Sequence, residues 1–241
     1  MTGCSLLATR ICDLGLDLRA SAFEPRLRVL HDELDRAGIR LRPRFYLSTE
    51  YGCIARTSTI GLLFTDGFAV LRRLAREHGI RVRTGRLIQR TLRHEVGHAF
   101  CYAHRLYETQ GFREVFGVTG DFFGSYPDVW RPGPADRSRV ARGEVVRLYA
   151  ARHPDEDFAC TFETFLADPS GGFARYQSRP VIARKLAWVA EAVAQYGGRA
   201  VEPDRGDLDE PASEVQLTLA EWFEATRNGD NLNLLARRGV R

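Results

Sequence analysis

The apolar positions along this chain switch between two spacings, and each switch predicts a change of element. Over residues 24–37, Leu27, Leu30 and Leu34 recur at helical spacing behind Pro25 and ahead of Gly38, so a helix is expected. Ile39, Leu41, Phe45 and Leu47 then alternate as in a strand, and Pro43 marks that strand as an edge. Residues 60–64 form a second apolar run of strand length, 67–78 return to helical spacing before Gly79, and 80–83 read as a short strand. A long helix near 86–109 follows, with Thr84 as its N-cap. Pro154 and the acids behind it start another, with Phe158, Phe162, Phe165 and Leu166 as its buried stripe and Glu156 and Glu163 on the opposite, polar face. Residues 180–197 make a helix stopped by Gly197-Gly198, and a last short one near 217–226 carries Trp222 and Phe223. This order predicts an α+β fold: a small, mostly antiparallel sheet first, then a mainly helical C-terminal part. The expected division is one domain over 1–198, then an acidic, Pro-containing linker and helical extension over 199–241 that docks on the body.

Composition narrows this only a little. At 241 residues and 44% hydrophobic, the chain is long enough for one well-formed core. No apolar run approaches 18 residues, and the first residues, with Cys4, Arg10, Cys12 and Asp13, lack the pattern of a signal peptide, so no membrane partner and a cytoplasmic location are expected. Five cysteines with no C-x-x-C pair point to reduced thiols rather than a disulfide framework. The net charge is +4, and Lys185 is the single lysine among 35 basic residues. Arginine clusters such as Arg40, Arg42 and Arg44 are interleaved with core positions, and no nucleic-acid-binding module can be read around them, so nucleic acid is not the expected partner. Nothing in the pattern sets an oligomeric state.

The chemistry concentrates in His94-Glu95-Val96-Gly97-His98. On a helix, residues four apart differ by about 40° around the axis, so His94 and His98 face the same way and can grip one metal ion. Glu95 lies about 100° off, beside the ion rather than on it, where a zinc hydrolase keeps its general base. Leu92, Val96, Ala99, Ala103 and Leu106 fall on the opposite side, so one face packs while the other coordinates. The bland reading, an amphipathic helix whose histidines meet solvent, leaves the placement of Glu95 unexplained. Catalytic zinc takes three protein ligands and keeps a fourth position open, so a third ligand must come from elsewhere. His104 has the metzincin spacing, yet Cys101 stands where that pattern needs a Gly to leave the helix, and Met1 is the single Met, so there is no Met-turn. Cys101 itself lies two turns along the helix and reads as a packed thiol. Glu156 and Glu163 remain, since a gluzincin takes its third ligand from a Glu on a following helix; either is a solvated helix acid in the bland reading.

Leu92-Arg93-His94-Glu95-Val96-Gly97-His98-Ala99, Tyr126-Pro127-Asp128 and His153-Pro154-Asp155-Glu156-Asp157-Phe158-Ala159 together resemble a bacterial zinc-binding metallopeptidase family of gluzincin-like type. The similarity runs over roughly residues 9–190. It implies a zincin-like fold, zinc on His94, His98 and Glu156, Glu95 as base and Asp157 as the adjacent acid. Two departures stand out: the cysteine-pair zinc ribbon that many members carry at the start is absent, and Cys160 replaces an acid common after the Phe-Ala pair. The expected activity is therefore that of a zinc metallopeptidase acting on a peptide or protein. A zinc hydrolase of small amides or esters and a zinc-binding scaffold without turnover are the alternatives, the latter having no need of Glu95. Tyr149 and His153, just before the ligand helix, are the expected oxyanion donors, and Asp157 is a candidate to orient a ligand imidazole. The loop over 117–143, with Phe122, Phe123, Tyr126 and Trp130, is expected to pack over a cleft.

Overall fold

The computed structural model describes residues 3–127, 129–169, 174–202 and 204–228. Its helices are α1 (Gly3–Leu7), α2 (Glu24–Arg36), α3 (Ala69–Glu77), α4 (Gly85–Ala103), α5 (Gln110–Phe116), α6 (Pro134–Ala141), α7 (Pro154–Ala167), α8 (Pro180–Tyr196) and α9 (Leu219–Asn228). Three strands, β1 (Arg44–Ser48), β2 (Gly52–Cys53) and β3 (Thr59–Leu63), form one sheet in the order β1-β3-β2. The fold is α+β, as the pattern predicts, and none of the described helices is long and apolar enough to cross a membrane. Local signals place most boundaries. Thr84 caps α4 by accepting from Leu87 N–H, and Gly38 and Gly79, both at positive φ, stop α2 and α3.

The sheet differs from expectation. It is mixed, with β1 and β3 parallel over five residue pairs and β2 antiparallel to β3 over two. The chain reverses once into β2 and again into β3, so β3 returns in the direction of β1 and lies between the other two. Residues 80–83 form no strand. Their backbone is claimed by side chains instead: Arg83 N–H donates to the buried Asp66 carboxylate, and Arg72 donates to Arg83 C=O at 2.7 Å.

Residues 204–228 join the same core. Ala212 N–H donates to Leu47 C=O and Ser48 bridges Pro211, so this segment covers the outer side of β1. Trp222 and Phe223 are buried, and Trp222 packs edge-on against Phe64 at 5.0 Å. The edge left without a neighbouring strand among the described residues is that of β2.

Helix α4 is the centre of the molecule, packed against α2, α7 and both β2 and β3. Residues 94–102 are buried all round, so the polar face of the sequence pattern is covered by α7 rather than by water. The close approach is made at Gly97, where an added Cβ would lie 2.9 Å from Ala159 Cα and 3.2 Å from Phe162 Cβ. Backbone cannot give way as a flexible side chain can. Gly97→Ala is therefore expected to push the two helices apart, cost about 1–3 kcal/mol of stability as overpacking does, and weaken metal uptake. Chemical denaturation of the metal-free protein measures the first effect, and chelator competition the second.

Candidate metal centre

Two helices bring three ligand atoms to one point. His94 and His98 project from consecutive turns of α4, and Glu156 from the first turn of α7. His94 Nε2 lies 3.1 Å from Glu156 Oε2, His98 Nε2 lies 3.2 Å from His94 Nε2, and His98 Nε2 lies 3.5 Å from Glu156 Oε2. Tetrahedral coordination with bonds of about 2.0–2.1 Å requires neighbouring ligand atoms about 3.3 Å apart. The observed triangle has that size, and two imidazoles with one carboxylate are a zinc donor set. All three residues are buried. Burial opposes the charge on Glu156, yet His94 and His98 hold its carboxyl well below the usual range. Burial also works against a charged His98, but the carboxylates of Asp155 and Glu156 outweigh it and raise its pKa well above the ordinary value.

The acid behind His98 is Asp155, not Asp157. Its Oδ1 lies 3.0 Å from His98 Nδ1, off the ideal hydrogen-bond axis, and Oδ2 accepts from the hydroxyls of Tyr102 and Tyr126. Asp157 instead meets Lys185 Nζ at 2.6 Å and Arg139 at 3.7 Å. Helical phase explains the exchange. Residues 155, 156, 159 and 160 share the face of α7 turned to α4, and residue 157, another 100° round, faces α8. Glu163 is not a ligand either; it is paired with Arg147, whose Nη2 lies 3.1 Å from His94 Nδ1. The polar face of α7 is thus buried, which its amphipathic pattern does not announce.

His104 is held apart from the triad. Helix α4 ends at Ala103, short of the predicted 109, because Arg105 takes a left-handed conformation (φ 50°) at the position where a Gly is usual. The His104 ring packs on Phe100 and Tyr196. His153 is the N-cap of α7: its Nδ1 accepts from Asp155 N–H, and its Nε2 pairs with Ser125 Oγ at 2.9 Å. Both ring nitrogens are therefore engaged, and the ring stacks on Tyr126. Tyr149 stands at the triad: its hydroxyl donates to Glu156 Oε1 at 2.9 Å and accepts from Arg152 at 3.1 Å. Burial and the Glu156 carboxylate push its pKa up, so it keeps its proton.

Glu95 is buried, and its carboxylate has no hydrogen-bond or ion-pair partner among the described residues. It lies close enough to the sheet to act on two of its neighbours. The Glu50 carboxyl is raised by burial and by the carboxylates of Glu210, Asp209 and Glu95, and burial with Glu95 raises the Cys53 thiol on β2. The base candidate thus lies near β2, which packs against α4. The cleft loop reaches the site through Tyr126, whose hydroxyl donates to Asp155, and through Trp130, which packs edge-on to Tyr149. A separate cavity of about 850 Å³ shares Tyr102 with this network and is lined by none of the ligands.

Sequence reasoning missed Asp155, Tyr102, Tyr126 and Arg147. Tyr102 carries a usable signal, four residues after His98 and so on the same helical face. Arg147 carries none, because its contact depends on the path of the chain between α6 and α7. No protein-family model, curated protein or solved structure matches this chain.

Proposed function

We propose that this protein is a zinc-dependent hydrolase, and within that class a metallopeptidase of gluzincin type with a zincin-like arrangement of sheet, active helix and ligand helix. The observation that carries the reading is the triangle of His94, His98 and Glu156 at tetrahedral spacing, with the unpaired carboxylate of Glu95 on the adjoining helical position. The family resemblance of the motifs at 92–99 and 153–159 points the same way. His94, His98 and Glu156 would hold the zinc, which when bound would supply the Lewis acidity that makes a water nucleophilic near neutral pH and polarises a carbonyl. The protein's own groups supply the rest. Glu95 takes the proton of the attacking water and returns it to the leaving amine. Tyr149, with Arg152 behind its hydroxyl, offers a proton-bearing donor to the developing oxyanion. Asp155 fixes the ring of His98, and the two tyrosines fix Asp155.

A peptide suits the site because β2 leaves an open edge beside Glu95. An extended substrate can add to that edge through main-chain hydrogen bonds. The test is a digest of a proteome-derived peptide library by the zinc-loaded protein, with the chelator-stripped protein as blank. Zinc-dependent new termini are the expected result. About one zinc per chain without cleavage of any peptide would overturn the peptidase reading in favour of a small-molecule amide or ester hydrolase, and absence of zinc uptake would overturn the hydrolase reading itself.

A further inference from the structure

The two imidazoles of the triad are backed very differently. His98 Nδ1 faces the carboxylate of Asp155 at 3.0 Å. His94 Nδ1 faces a guanidinium, Arg147 Nη2 at 3.1 Å, and a thiol, Cys160 Sγ at 3.7 Å. A histidine that gives Nε2 to a metal carries its ring proton on Nδ1, and that nitrogen must then donate. Arginine has five N–H donors and no acceptor, so Arg147 cannot receive that proton. It already has a counter-charge in Glu163. The sulfur is what remains. Cys160 is fully buried on the face of α7 turned to α4, one turn beyond Glu156, so the helix that supplies the third ligand also fixes the sulfur.

From this geometry we infer that Cys160 is a positioning residue of the metal centre: its sulfur accepts the Nδ1–H of His94 and holds that ring with Nε2 turned to Glu156 and His98. The inference rests on the zinc reading of the triad. It gives the centre an asymmetric support, a carboxylate behind one imidazole and a weak sulfur acceptor behind the other. It also accounts for Arg147. With Nδ1 protonated, the guanidinium loses its contact with His94 and is retained by Glu163 and by the side chain of Cys160, which keeps a positive charge near the ring without competing for the proton.

The experiment compares wild type with Cys160→Val, which replaces the acceptor by a slightly larger apolar side chain, and Cys160→Ser, which restores an acceptor. Zinc affinity is read by competition with a chromogenic chelator, and the cobalt-substituted proteins are examined by proton NMR for the shifted, exchangeable Nδ1–H signals of the two ligand histidines. Expected are an affinity loss of about 10–100-fold in Cys160→Val, the usual scale for an outer-shell partner, and recovery of most of it in Cys160→Ser. One of the two N–H signals should be lost to solvent exchange in Cys160→Val while the other, held by Asp155, persists. Should Cys160→Val not fold, as judged by circular dichroism of the metal-free form, Cys160→Ala replaces it in the same comparison. Wild-type affinity with both signals retained in the valine or alanine variant overturns this inference and leaves the zinc reading standing. Failure of the wild-type protein to take up either metal overturns both.

Discussion

Glu95→Gln is expected to keep about one zinc per chain and to lose turnover by roughly 10²–10⁴-fold, the range a positioned general base contributes. The substitution preserves shape and removes the proton acceptor. Its metal-neutrality follows from geometry, because the carboxylate stands outside the His94, His98 and Glu156 triangle and bonds to no described residue. The protein should therefore fold and load metal as wild type does. Paired metal analysis and peptidase assay on the same preparation check both halves. Turnover equal to wild type in a fully loaded Glu95→Gln protein would remove Glu95 from the reaction.

Glu156→Gln is expected to have the largest effect on metal binding among the acids of α7. The amide keeps one oxygen but loses the charge that offsets the cation, and it leaves two neutral imidazoles to hold the ion. The affinity should fall by more than the roughly 10–100-fold that loss of an outer-shell partner costs. His104→Ala is the control, with affinity near wild type, since that ring packs on Phe100 and Tyr196. Glu163→Gln is expected to lie between the two. Its carboxylate is no ligand, but it retains Arg147, which borders His94. Chelator competition on the four proteins orders them directly. An affinity that collapses in His104→Ala and survives in Glu156→Gln would exclude the triad.

What was legible in the sequence is what the chain writes locally. The i, i+4 pair of His94 and His98, the offset of Glu95, the Thr84 cap, the Pro154 start and the stops at Gly38 and Gly79 all follow from periods of a few residues and from the backbone freedom of single residue types. They held in the structure because helical phase and capping need no information from distant segments. The end of α4 was missed by several residues, since Arg105 adopts a conformation more usual for Gly. The parallel pairing of β1 and β3 was missed because the two-residue strand between them leaves almost no mark in the pattern.

Around the candidate metal centre the division is sharper. The sequence alone determined which helix carries the two imidazoles and the candidate base, and it offered three acids in a row, Asp155, Glu156 and Asp157. Only the tertiary structure decided that Glu156 meets the triangle, Asp155 backs His98 and Asp157 turns away to Lys185. Those roles depend on the rotation of α7 about its own axis. That rotation is set by the contact of Gly97 with Ala159 and Phe162, between residues more than sixty positions apart. A turn of 100° would pass every role to the next residue along, and no local period records it.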